Sequence, residues 1–301
     1  MIAEPQMFLL ALALSFLVGG SLGLLGGGGS ILTMPIVLYV LGMETHAAIA
    51  TSLIVVGATS AVAVITHARS GRVRWRTGVL FGVTSMASAF VAGRLAAWVP
   101  GGILLVAFGA LMLVTGLAMM QRRKERGPSS LDGGSWRRLL LQGLGVGSIT
   151  GFVGAGGGFV VVPALALLGG LTMKEAVGTS LLVIAMNSAA AVAGHIGRVE
   201  IPILTASSLT VVAIAGSVVG GAVAGRVRQD VLRRAFAWFV IVMAVFFLSQ
   251  EVPRFAGVEV TFATDWTWIL GGAGVPLLLG AVDLVRFTAR LAEAEPEGNV
   301  G

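Results

Sequence analysis

The sequence predicts an all-α fold, a polytopic transmembrane helical bundle of two inverted-topology repeats with glycine-broken half-helices. Three observations carry that prediction. The chain of 301 residues is 56% hydrophobic and only 11% charged, with a mean hydropathy of +0.95, whereas a soluble domain carries about 25% charged residues. Apolar runs of about 20 residues, the length that crosses a bilayer as helix, recur along it. Residues 26–67 and 154–195, set side by side at a constant offset of 128, agree at 15 of 42 positions without a gap.

Apolar segments fall at 6–25, 30–42, 46–66, 77–98 and 103–121, then at 139–153, 159–169, 175–195, 202–225 and 231–249. A further segment, 266–285, has no partner in the repeat and reads as an added span. The segments 30–42 and 159–169 are too short to span alone and follow the glycine clusters 26–29 and 154–158, so they are expected to be half-helices. The domain organisation is then a first transmembrane repeat at 6–121, a basic cytoplasmic linker at 122–137, a second repeat at 138–249, an extra helix at 265–286 and a cytoplasmic tail at 287–301. The first basic residue is Arg69, so the opening segment lacks the charged n-region of a cleavable signal and is expected to be retained.

Pairs matched by the repeat include Gly28/Gly156, Pro35/Pro163, Thr51/Thr179, Ser52/Ser180 and His67/His195. Counting each broken pair as a hairpin puts 17 basic residues on one face and only Arg94, Arg198 and Arg254 on the other. Basic loops stay cytoplasmic, so the N-terminus is expected outside and the C-terminus inside a bacterial cell membrane. The same parity inverts the second half relative to the first, an arrangement of many secondary transporters. The net charge of +6 therefore sets topology, and no nucleic-acid partner is expected.

A helix broken inside lipid exposes backbone groups that protein, water or ligand must satisfy. The start of a short helix aims free N–H groups, at the positive end of its dipole, at whatever lies there. The expected substrate site is an anion site of Gly28, Gly29, Ser30, Gly156, Gly157 and Gly158, with Thr51, Ser52, Thr179, Ser180 and Asn187 beside it. Ser52, Thr59 and His67 share one helix face, as do Ser180, Asn187 and His195. His67 and His195 are gating or proton-coupling candidates, against the plainer role of capping helix ends. For the hydroxyls, the plainer role is back-bonding to their own helix carbonyls. The pairs Gly19/Gly23, Gly147/Gly151 and Gly216/Gly220 have the spacing of close helix packing. With no cysteine and three scattered histidines, no metal or cofactor is expected. No acidic residue falls deep in a predicted span, which argues against a carboxylate cation site.

The doubled motif, Gly26 to Pro35 with Ala-Thr-Ser-Leu at 50–53 and Gly154 to Pro163 with Gly-Thr-Ser-Leu at 178–181, resembles the sulfite exporter TauE/SafE family over about residues 10–250. The resemblance implies a permease for sulfite or another small sulfur-containing or organic anion. An inside-negative potential of about 100 mV favours anion exit by roughly 2.3 kcal/mol per charge, so export is the expected direction. Proton-coupled import and a receptor that binds without transport are the alternatives. An intramembrane hydrolase using Ser30 or Ser148 with a histidine lacks any nucleophile-elbow context, so no enzyme is expected. The expected partners are the anion and the bilayer, with a homo-oligomer left open.

Overall fold

The computed structural model describes residues 5–120 and 135–255, except 97, 154–157, 196–198, 200 and 225, together with 280, 282 and 283. The described residues are helical throughout, with short connections and no strand. The first half contains α1 (Pro5–Leu25), α2 (Gly28–Pro35), α3 (Thr45–Arg69), α4 (Trp75–Ala96) and α5 (Gly101–Met120). The second contains α6 (Ser135–Val153), α7 (Gly158–Pro163), α8 (Met173–His195), α9 (Ile203–Ala224) and α10 (Gln229–Phe255). Seven of these helices, all but α2, α6 and α7, are long and apolar enough to cross a membrane. Of the predicted added span, only Gly280, Val282 and Asp283 are described; residues 122–134 of the linker and the tail lie outside the described residues.

The repeat seen in sequence is repeated in hydrogen bonds. α2 widens into a π-helical turn at Ile36–Val40, and α7 does the same at Ala164–Leu168. Each widening follows a proline, Pro35 or Pro163, whose ring nitrogen cannot donate to the turn before it. The Leu41 N–H then donates to Ile36 O (3.1 Å), matched by Gly169 to Ala164 O (3.0 Å). Met43 to Val37 O (3.2 Å) is matched by Leu171 to Leu165 O (3.1 Å). Gly42 and Gly170 both hold positive φ, 64° and 68°, and turn the chain back into α3 and α8. The caps differ: Glu44 accepts from the Ala47 N–H, while Thr172 and Glu175 form a reciprocal capping box.

The halves interlock. α1 packs chiefly on α9, and its counterpart α6 packs chiefly on α4. A β-carbon at Gly19 would overlap the Ala213 carbonyl, and one at Gly23 the Ser217 carbonyl. In the matching seam, Gly147 meets the Ser85 carbonyl and Gly151 the Ala89 carbonyl. Each contact is the other moved by the repeat offset, and in both seams the helices run in the same direction. Lipid offers no hydrophobic drive for helices to associate, so close backbone approach and dispersion hold these seams. The small-residue spacing therefore serves packing, as expected.

α3 and α8 cross at the centre. Their spans are 67% and 61% buried, against 33% for lipid-facing α9. The C-terminal end of α3 meets the start of α8, where the Arg74 N–H donates to Thr179 Oγ1 (2.9 Å) and the Arg74 guanidinium to Glu175 (2.7 Å). α5 and α10 pair along a second line, with Phe108 edge-on to Phe247 at 4.9 Å. α10 runs past its expected end at 249, which brings Glu251 into the interior, 3% exposed, where the Tyr39 hydroxyl donates to it. An acidic residue is thus buried against the first half-helix, which the span boundaries had not anticipated. On the far side of α10, Asp283 accepts from Arg234 (3.1 Å) and from Trp238 Nε1 (3.0 Å).

Candidate functional site: paired half-helix starts and a polar crossing

The chain leaves α1 through Gly26, whose φ of 71° makes the reversal into α2 without a Cβ penalty. Gly26 lies against α8: a β-carbon there would be 2.8 Å from Ser180 Oγ and 3.0 Å from Val177 O. Gly27 caps α2 with no side-chain bond, so Gly28 and Gly29 form its first turn, where backbone N–H groups lack intrahelical acceptors. α7 begins at Gly158 on the other side of the centre. A β-carbon on Gly158 would lie 2.7 Å from Gly27 Cα and 2.9 Å from Ser30 Oγ. The two half-helix starts therefore touch, and Ser30 and Gly158 are the same position in the two repeats. Gly156 and Gly157 lie outside the described residues.

The hydroxyls divide into two groups. Ser30, Ser52 and Ser180, all fully buried, donate to the carbonyls of Gly27 (2.7 Å), Ile49 (2.9 Å) and Val177 (2.8 Å). Their protons are held by their own chain, which leaves oxygen lone pairs facing outward. Thr179 accepts from Arg74 at the end of α8 and so belongs to the junction with the 70–74 connection, away from the half-helix starts. Thr51 is fully buried and its Oγ1 has no hydrogen-bond partner.

Two turns beyond Ser180, Asn187 donates from Nδ2 to Ser85 Oγ on α4 (2.6 Å), and its Oδ1 is left without a partner. Thr59 Oγ1, Ser60 Oγ and Ser188 Oγ are also buried and unpartnered. Leaving such a group unsatisfied costs about 1–3 kcal/mol, so four of them on two crossing helices is an expensive arrangement. Thr59–Ser60 and Asn187–Ser188 are the same two positions in the two repeats. Sequence reasoning reached Thr59 through its helix face and Asn187 through its cost in lipid, but passed over Ser60, Ser188 and Ser85. The signal available was that the repeat alignment pairs two adjacent polar residues at both positions.

His67 is fully buried and sits inside the bundle, so the reading of it as an interfacial cap does not describe its place. Its Nε2 lies 2.8 Å from the Gly23 carbonyl, which can only accept, so the proton is on Nε2; Nδ1 has no partner. The His195 side chain lies outside the described residues. Beside His67, in the 70–74 connection, burial lowers the pKa of the Arg72 guanidinium from its ordinary value. Among the described residues no group of three metal-ligating side chains assembles.

The family model for the sulfite exporter TauE/SafE matches residues 11–247. A probable membrane transporter protein of Xylella fastidiosa is 34% identical over 242 residues, covering 78% of this chain and 92% of that protein. The probable membrane transporter proteins YdhB of Bacillus subtilis and MJ0441 of Methanocaldococcus jannaschii are 22% and 27% identical, over 75% and 68% of this chain and 94% and 84% of theirs. No solved structure matches. The family match spans both seams, both half-helix starts and the α3–α8 crossing, and the chain belongs to the sulfite exporter TauE/SafE family of membrane transporters.

Proposed function

We propose that this chain is a non-enzymatic permease that exports a small oxyanion, sulfite or an organosulfonate, by alternating access between two inverted repeats. The observation that carries the reading is the contact of Gly158 with Gly27 and Ser30. It brings the positive ends of two half-helices together inside the bundle, where an anion is stabilised by backbone N–H groups without a fixed counter-charge. Inversion is supported by α3 and α8, repeat counterparts that meet end to start at the Arg74–Glu175 pair. Gly109 on Leu248 and Gly116 on Ile241 make α5 and α10, the next pair of counterparts, antiparallel as well.

Orientation follows from charge. The 69–76 connection lies beside the start of α8, and Gly221 near the end of α9 lies beside His67. Arg69, Arg72, Arg74, Arg76, Lys174, Arg226 and Arg228 therefore share one end of the bundle. By the positive-inside rule that end is read as cytoplasmic, which supports a cell-membrane chain with its N-terminus outside. Proton-coupled import is the second reading, and the buried Tyr39–Glu251 contact favours it, because acidic residues inside a membrane bundle mark ion and substrate pathways.

The test is flux of sulfite from proteoliposomes under a set membrane potential. The reading expects potential-driven flux that Gly158→Val reduces by about tenfold or more, since a misplaced binding group is costly. Absence of flux for sulfite and for organosulfonates under either a potential or a proton gradient would overturn it.

A further inference from the structure

The α4–α8 and α9–α3 pairs are repeat images of one another, yet their ends are fastened differently. Gly221 on α9 lies beside Thr66 and His67 of α3; Gly194, the counterpart of Thr66, lies beside Phe90 and Arg94 of α4. Arg74 and Pro202 hold the same place before α4 and α9, where their carbonyls accept from Gly78 (2.8 Å) and Ala206 (3.0 Å). Before α4, the 70–74 connection is bound to the start of α8. The Arg74 N–H donates to Thr179 Oγ1 (2.9 Å) and its guanidinium to Glu175 (2.7 Å). Val73 is buried in a cluster with Leu22, Val56 and Leu181. Gly178 permits the approach, because a β-carbon there would fall 2.5 Å from Arg72 O.

The residues that make these fastenings are replaced in the other repeat. Pro202 stands in the place of Arg74 and has neither N–H nor charge. Ala47 stands in the place of Glu175, and Ala50 puts a β-carbon at the Gly178 position. Thr51 keeps the hydroxyl of Thr179, and its Oγ1 is buried without a partner. Ile201, the counterpart of Val73, is only half-buried. The adjoining Thr-Ser-Leu triplets are identical, so the differences gather at the contact itself.

Resting on the orientation and alternating-access readings above, we infer that the 70–74 connection is a latch on the cytoplasmic end of the bundle, with no matching latch at the outer end, so that the empty protein parts more readily toward the outside. Alternating access opens one end while the other is shut. A contact that forms at only one end shifts that balance by its own strength. Loading from the cytoplasm must unfasten Arg74 from Thr179 and Glu175, which makes it the costlier opening.

The chain has no cysteine, so a single introduced thiol can report each end. Ala48 and Ala176 are the same repeat position and both are fully buried. They pack in clusters with Leu209 of α9 and Phe81 of α4, themselves counterparts. Ala48→Cys and Ala176→Cys are each treated with a membrane-impermeant maleimide, applied to one face of sealed vesicles at a time, and sulfite flux is read on the same preparations. Ala48→Cys reached from outside should react about tenfold faster than Ala176→Cys reached from the cytoplasmic face. Adding Thr179→Val, which strands the Arg74 N–H, should speed Ala176→Cys about fivefold or more. Arg74→Ala keeps that N–H and removes an exposed ion pair, so it should speed the reaction less. Ala47→Glu, Ala50→Gly and Pro202→Arg together, which build the latch at the outer end, should slow Ala48→Cys. Equal rates at the two sites, or an Ala176→Cys rate that both Thr179→Val and Arg74→Ala leave unchanged, would overturn the latch. A faster site that reacts only from the cytoplasmic face would overturn the orientation and, with it, the side assigned to the latch. Absence of sulfite flux with the labelling difference intact would defeat the permease reading and uphold the latch.

Discussion

The seams of α1 on α9 and α4 on α6 and the crossing of α3 on α8 are built from the same small residues, with the crossing helices the more deeply buried, and they differ in how their hydroxyls are closed. In the seams the glycines place backbone against backbone, and the hydroxyls are closed on their own helices: Ser15 on Ala11 O, Ser217 on Ile214 O and Thr150 on Gly147 O. At the crossing Thr59, Ser60 and Ser188 are closed on nothing. Burial in lipid does not by itself cause the difference, because both regions face the same low-polarity surroundings. The comparison teaches that the seams close their hydroxyls on their own helices while the crossing leaves three of them open.

The sharpest way to break the comparison is to thicken a seam. Gly19→Val or Gly151→Val drives a side chain into a carbonyl of the facing helix. Each should cost about 3 kcal/mol or more by overpacking, read as a large fall in thermal-unfolding midpoint in detergent or as loss of the monodisperse species. If both variants unfold like the unaltered protein, the seams are not the scaffold. At the crossing the sign reverses. Thr59→Val keeps the shape and removes an orphaned hydroxyl, so stability should stay level or rise by up to about 1–3 kcal/mol, while sulfite flux falls. A clear loss of stability would mean the hydroxyl is satisfied in the membrane by something fixed.

A third change probes the junction of the two designs. Tyr39→Phe removes one donor from buried Glu251 while keeping the ring against Phe246 and Phe247. The expected destabilisation is about 1–3 kcal/mol, and Glu251→Gln in the same background should relieve part of it. The smallest effect belongs to the rim. Arg74 pairs with Glu175 but its side chain is 59% exposed, so Arg74→Ala should change stability by less than about 1 kcal/mol, and less still at high salt. A larger shift would show that this end of the bundle is closed more tightly than its exposure indicates.

Much of this was legible in the residues, for reasons the comparison makes plain. Helix positions follow from apolar length, and the repeat from Pro35/Pro163, the Thr-Ser-Leu triplets and His67/His195. The break at Gly26–Gly27 and the packing role of Gly19, Gly23, Gly147 and Gly151 also read correctly. The partners of each helix did not. A membrane helix is apolar on all sides, so no polar stripe tells which face meets protein and which meets lipid; nothing local says that α1 seeks α9. Glu251 was missed because hydropathy ends a span at its first charge, while the structure carries α10 one turn further and pairs the carboxylate with Tyr39. Ser30, Ser52 and Ser180 look in sequence just like Ser60 and Ser188, and only coordinates separate hydroxyls that are closed from those that are open.

The most direct measurement is potential-driven sulfite flux in proteoliposomes for the unaltered protein, Gly158→Val and Thr59→Val, each first shown to be folded by its unfolding midpoint. The account predicts that Thr59→Val stays folded, that Gly158→Val is destabilised by its overlap with Gly27, and that the folded protein of each variant loses about tenfold or more of the flux, because one blocks the meeting of the half-helix starts and the other strips the crossing. Full flux in both folded variants would contradict it and move the anion's path away from the centre of the bundle.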